Sequence, residues 1–227
     1  ELILGFALLF MGLDLLKNSV PDLKSNPEML EFLTMFTQSG FTSVIIFLVV
    51  GTLLTIVVQS SSATMAITLI MVSKGWISYE LGAAMVLGEN IGTTITANIA
   101  AIPANISAKR AALAHTLFNI TGIVWMLFLF FPFLNMVTNL AEFFGFGNPT
   151  LFSQELNSHP DAIRIVSDES GLLSADESAY QKKLMVYQAS TSYGLALFDS
   201  TFNIINTFLL VWFAKAITNV VSFIIKK

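Results

Sequence analysis

Gln59-Ser60-Ser61-Ser62 interrupts a long apolar run, with Val44-Ile45-Ile46-Phe47-Leu48-Val49-Val50 before it and Ala66-Ile67-Thr68-Leu69-Ile70-Met71 after it. Four consecutive amide and hydroxyl side chains are costly in hydrocarbon unless they bind something or each other. About thirty residues later a second polar cluster, Gly88-Glu89-Asn90-Ile91-Gly92-Thr93-Thr94, divides another apolar stretch. Gly, Ser, Thr and Asn are residues that let a helix stop inside a membrane and expose backbone groups. The paired clusters therefore predict two helix breaks that meet near the bilayer midplane and form a small-ion site.

Composition agrees with a membrane setting. The chain has 227 residues, 55% of them hydrophobic and only 11% charged, and its mean hydropathy of +0.74 lies well above soluble norms. Without cysteine it can have neither a disulfide framework nor a thiolate metal site. The net charge of −4 is concentrated in 138–183, where Glu142, Glu155, Asp161, Asp168, Glu169, Asp176 and Glu177 outnumber Arg164, Lys182 and Lys183. No basic stripe suggests a nucleic-acid partner. The chain begins at Glu1 on an apolar run, without an initiator Met or a charged leader, which reads as a fragment or a processed chain.

The expected fold is an all-α membrane protein of re-entrant or broken helices, one half of an inverted-repeat secondary transporter. Three regions follow: a transport region over 1–137, an acidic extramembrane loop over 138–183, and a C-terminal transmembrane helix within 184–227. Ile3–Leu16 and Phe41–Gln59 read as spanning helices. Between them, Pro21, Pro27 and Gly40 suit a loop with a short interfacial helix. Ala63–Ser73, about 17 Å long at 1.5 Å per residue, is too short to span alone. It fits a re-entrant hairpin with Gln59–Ser62 at its tip, or a span broken there.

Trp76–Leu87 and Ile95–Ile102 read as the same figure repeated, with Gly88–Thr94 as its break. Leu113–Val137 reads as one long apolar helix with a late Pro132, and 138–183, rich in Gly and Pro, as mostly irregular. Val186–Ile225 is the last apolar segment. Lys109-Arg110 and Lys226-Lys227 should be cytoplasmic by the positive-inside rule, which leaves 138–183 external.

Hydroxyls, an amide and free N–H groups at a helix N-terminus are suitable donors for a phosphate-type anion. A sodium ion needs hard oxygens, available from Gln59, Ser61, Ser62, Asn90 and Thr93. Neither cluster contains Lys or Arg, so a bound anion would need co-bound cations, which favours symport over a basic anion pore. Glu89 is a candidate cation ligand or a partner for His115. A weak internal echo pairs His115 and Asn119 with Asp199 and Asn203, each pair four residues apart and so on one helical face. An intramembrane serine hydrolase using Ser61 and His115 would need a glycine-flanked, strained serine and an oxyanion hole, and no glycine adjoins these serines.

The order Gln59-Ser60-Ser61-Ser62, then Gly88–Thr94, then Arg110-Ala111-Ala112-Leu113-Ala114-His115-Thr116-Leu117-Phe118-Asn119 resembles one repeat of the type II sodium/phosphate cotransporter family. The resemblance covers about 1–135 and the final helix. It implies sodium-coupled symport of inorganic phosphate by alternating access across a bacterial cytoplasmic membrane, with no cofactor beyond the coupling sodium. It also implies a partner: a second QSSS-containing half, in the same protein or in an antiparallel copy. Carried over, the site comprises Gln59, Ser60, Ser61, Ser62, Asn90, Thr93 and Thr94, with Glu89, His115, Asn119 and Asn203 in coupling. Glu89 stands where many members have a small residue, and Asp199 where a His is common. A phosphate sensor or scaffold on the same fold is the alternative.

Overall fold

The computed structural model describes residues 2–19, 36–37, 40–159, 161–168 and 172–226. Among these residues every regular element is helical. The helices are α1 (Leu2–Ser19), α2 (Phe41–Val58), α3 (Ser61–Ser73), α4 (Tyr79–Ala101), α5 (Ile106–Phe128), α6 (Phe130–Phe143), α7 (Leu151–Ser158), α8 (Ala162–Val166), α9 (Ala175–Leu210) and α10 (Ala214–Ile224), with a 3-10 turn at Val211–Phe213. Three stretches are long and apolar enough to cross a membrane: Phe41–Val58, Ile106–Phe128 and Ala175–Ile224. The protein is an all-α membrane protein. The interfacial helix expected within 18–40 lies outside the described residues apart from Phe36 and Thr37.

The first expected break is present. α2 stops at Gln59, whose backbone is left-handed (φ 57°, ψ 25°), and Ser60 is extended (φ −149°, ψ 110°). Ser60 then caps α3, its hydroxyl accepting from the Ala63 N–H at 3.3 Å. Gln59 is the one non-glycine residue with positive φ among the described residues, and backbone held in this region costs on the order of 1–3 kcal/mol.

The second expected break does not exist. α4 runs unbroken through Gly88–Thr94, from a Ser78 cap that accepts from the Leu81 N–H. The glycines serve close packing instead. A methyl group on Gly88 would lie 2.0 Å from the Leu48 carbonyl oxygen, one on Gly51 2.3 Å from that of Met85, and one on Gly92 2.5 Å from Thr55 Cβ. α2 and α4 thus meet backbone to backbone, as small residues four apart permit in membrane helices. The Thr52 hydroxyl, which can also donate to Leu48, lies 3.0 Å from the Gly88 carbonyl across this contact. α4 is the centre of the bundle, with every residue from Leu81 to Glu89 buried against α2, α3, α5 and α9.

The long helix expected over Leu113–Val137 is two helices. α5 ends at Phe128 and α6 starts at Phe130, which puts Pro132 in the first turn of α6. There its missing N–H has no intrahelical acceptor to lose; in a continuous helix its ring would strike the Phe128 carbonyl. Nor is 138–183 mostly irregular. It contains the end of α6, α7, α8 and the first turns of α9, around a small core of Phe152, Ala162, Ile165 and Leu184. Lys183 donates to Glu155 there, and that hydrogen bond holds the Glu155 carboxyl below the usual glutamate range.

The last helix likewise begins at Ala175, not Val186, on a capping box in which Ser174 and Glu177 satisfy each other's backbone N–H. It is interrupted by the 3-10 turn rather than running straight to Ile225. α9 ties the outer helices to the bundle: Gln188 donates to the Ser73 carbonyl, Thr191 to that of Pro149, and Phe198 packs edge-on against Phe130 and Phe133.

The α2–α4 contact predicts opposite outcomes for two alanines. Gly88→Ala should lower stability by roughly 1–3 kcal/mol, because the clash is with rigid backbone. Gly12→Ala, with nothing within 4 Å of the added methyl, should be neutral or stabilising by up to about 1 kcal/mol. Thermal unfolding of the two variants in the same detergent checks this.

Candidate functional site

Helical geometry sorts the Gly88–Thr94 cluster into two faces. At about 100° per residue, Gly88 and Gly92 point to α2, while Val86, Glu89, Asn90 and Thr93 fall within an arc of about 100° on the other side. That second face and the start of α3 line one cavity of about 350 Å³, bounded by Ser61, Ser62, Met65, Val86, Glu89, Asn90, Thr93 and Asp199. Three elements build it: the α3 N-terminus, mid-α4 and mid-α9.

Ser61 and Ser62 occupy the first two positions of α3, where backbone N–H groups have no intrahelical acceptor and the helix dipole is positive. Both serines are exposed, so the cavity is open on the hairpin side. Glu89 is 4% exposed and its Oε1 accepts from the Thr68 hydroxyl at 2.7 Å. Thr68 itself is fully buried, seven residues after Ser61 and on the same face of α3. Asp199 Oδ1 accepts from Asn203 at 2.9 Å and from Asn90 at 3.5 Å, which links α9 to α4. The Asn90 amide lies 3.2 Å from the Val86 carbonyl, and the Thr93 hydroxyl donates to the Glu89 carbonyl. The wall therefore offers hydroxyls, an amide, two carboxyl groups and a helix N-terminus, and no Lys, Arg or His.

Of the residues expected at the site, Ser61, Ser62, Glu89, Asn90 and Thr93 are together, and Asn203 is one hydrogen bond behind. Gln59 and Ser60 shape the hairpin but do not line the cavity. Thr94 does not line it either: it sits about 40° beyond the edge of the arc, buried, its hydroxyl donating to Ile91. Nor is Glu89 paired with His115, which is exposed on α5. Asn119, buried on α5, donates to the His115 carbonyl and stays away from the cavity.

Two residues outside that expected set matter here: Asp199 lines the cavity, and Thr68 holds Glu89 from within the packed helices. An acid within the apolar 186–225 segment was the available signal for Asp199. Thr68 carried none beyond its helical register with Ser61.

The Na+/Pi-cotransporter family model matches residues 8–148, more than half of the chain. The chain belongs to that family. It is a family of transporters, not of enzymes. The protein is 38% identical over 95 residues to the uncharacterized protein YqeW of Bacillus subtilis (strain 168), a match covering 42% of this chain and 30% of that one. It is 40% identical over 105 residues to sodium-dependent phosphate transport protein 2B of Rattus norvegicus, covering 44% of this chain and 14% of the rat protein. It is also 40% identical over 99 residues to sodium-dependent phosphate transport protein 2C of Homo sapiens, covering 42% and 16%. The matched stretch is thus less than a third of each relative's length. No solved structure matches.

The Thr68–Glu89 bond gives a double-mutant prediction. Thr68→Val leaves a buried carboxyl group without its donor and should cost about 1–3 kcal/mol of stability. Adding Glu89→Gln should cost less than the sum of the two single changes, because the partners share one interaction. Unfolding of all four forms in one detergent measures the coupling.

Proposed function

We propose that this chain forms half of a sodium-coupled symporter of inorganic phosphate in a bacterial cytoplasmic membrane, working by alternating access at the cavity between α3, α4 and α9. One observation carries the reading: the QSSS hairpin and the polar face of α4 share a single cavity without a cationic side chain. A phosphate dianion placed there meets the positive end of α3 together with the hydroxyls of Ser61, Ser62 and Thr93. It also meets two carboxyl groups, which would repel it at close range in a medium less polarisable than water. Sodium offsets that repulsion, with Ser61, Ser62, Asn90 and Thr93 supplying hard oxygens and Glu89 facing the cation. Uptake of the anion then depends on the cation, which is coupling stated electrostatically.

The exposed serines favour a second QSSS-containing half covering the open side, from the rest of the same protein or from an antiparallel copy. In this reading the cavity lies near the bilayer midplane, 138–183 faces outward, and the C-terminal end of α10 faces the cytoplasm. Asn203 acts on coupling from behind the cavity, through its hydrogen bond to Asp199.

The test uses proteoliposomes holding the complete transporter that contains this chain. Radiolabelled phosphate should enter only down an inward sodium gradient, and uptake without sodium would refute the symport. Ser61→Ala and Thr93→Ala should each weaken apparent phosphate affinity roughly 5- to 150-fold, the equivalent of about 1–3 kcal/mol for a lost hydroxyl. Ser73→Ala should not, since that hydroxyl only returns to the Ile70 carbonyl at the far end of α3. Glu89→Gln should raise the sodium concentration for half-maximal uptake while leaving phosphate affinity at saturating sodium within a few-fold. Phosphate affinity collapsing with sodium activation unchanged would instead place Glu89 on the anion.

A further inference from the structure

A second, apolar cavity lies on the seam between α5 and α10, away from the transport site. Leu117 and Thr121 of α5 face Leu210, Phe213, Ile217 and Val220 across a groove of about 350 Å³, at the place where the 3-10 turn separates α9 from α10. The seam is closed at one end by Arg110, whose Nε and Nη2 donate to the Ile225 carbonyl at 3.0 and 2.8 Å. Arg110 and Leu117 are seven residues apart, which places them on one face of α5 about 10 Å apart along its axis. Lys109 and Lys226 adjoin the two ends of the Arg110–Ile225 bond, and Lys215 is exposed near the start of α10.

These cations have no counter-charge nearby in sequence. No Asp or Glu occurs from Ile91 to Ala141, nor from Ser200 to Lys227. Among the described residues, none of Lys109, Arg110, Lys215 and Lys226 takes part in an ion pair. An apolar slot ending about 10 Å from uncompensated cations is complementary to an amphiphile with an apolar chain and an anionic head. Free phosphate would use only the cations, and a zwitterionic lipid brings no net charge to them. Basic pockets at the ends of membrane helices recognise anionic headgroups in this way.

We propose that the α5–α10 seam is a binding site for one anionic phospholipid, with its headgroup on Lys109, Arg110 and Lys226 and one acyl chain in the groove. A lipid held there would brace the start of α5 against the end of α10. The site makes no use of the transport cavity, so it stands or falls independently of the proposed transport activity.

Native mass spectrometry of the purified chain, after exposure to micelles with equal phosphatidylglycerol and phosphatidylcholine, tests the proposal. One phosphatidylglycerol should be retained in preference to phosphatidylcholine. Lys109→Ala and Lys226→Ala should each reduce that retention roughly fivefold, without altering retention of phosphatidylcholine. Ala216→Phe, which puts a ring into the groove, should lower retention of both lipids. If the lysine variants fail to fold, the unaltered chain still decides the matter, because retention of phosphatidylglycerol should fall as salt rises. Equal retention of the two lipids, or retention indifferent to both lysines and salt, would overturn the proposal. So would a dimer that Ala216→Phe dissociates without changing lipid retention, since the groove would then be a contact between copies.

Discussion

Backbone-to-backbone contact between α2 and α4 is the constraint on which the rest of this structure depends. Gly51, Gly88 and Gly92 leave no room for a methyl group, so the two axes approach more closely than side chains would otherwise allow. In a lipid environment there is little hydrophobic gain from bringing helices together, and dispersion across such close faces takes its place. With its glycine face against α2, α4 presents Glu89, Asn90 and Thr93 on the other side. Packing and site are thus two faces of one seven-residue cluster. The same register fixes Asp199, because α9 packs along α4 and its carboxylate meets Asn90.

The hairpin contributes the complementary half of the geometry. A left-handed Gln59 and an extended Ser60 turn the chain out of α2 and into α3 within two residues. Had the helix continued, Ser61 and Ser62 would carry saturated backbone N–H groups. Instead they open a new helix with free donors and a positive dipole end beside the polar face of α4. Two kinds of charge preference result in one small volume: donors for an anion from α3, and carboxyl oxygens for cations from α4 and α9. That juxtaposition is what the proposed symport draws on.

Outside the bundle, a second core of Phe152, Ala162, Ile165 and Leu184 keeps α7 and α8 against the first turns of α9. Gln188 and Thr191 then connect that unit to the end of α3 and to Pro149. The acidic segment is therefore a built cap, not a loose loop. Among the described residues its Gly and Pro fall at helix ends: Gly145 and Gly147 have positive φ just after α6, and Pro149 lies just before α7.

The sequence by itself determined the membrane class, the helix break at Gln59–Ser62, and the residue types a cation and an anion would each need. These follow from hydropathy, from the cost of burying four polar side chains, and from the chemistry of hydroxyls and amides, none of which depends on distant contacts. Tertiary structure decided the rest. Along the chain Gly88–Thr94 reads as a break, and only the approach of α2 makes its glycines a packing face. His115 and Asp199 looked alike along the chain, yet α9 carries Asp199 to the cavity while α5 holds His115 away from it. Composition made 138–183 look irregular, because a core of four buried residues spread over short helices leaves almost no periodic trace. What separates the two sets is range: backbone and solvation preferences act within a turn or two, whereas a helix face acquires its meaning from the neighbour that covers it.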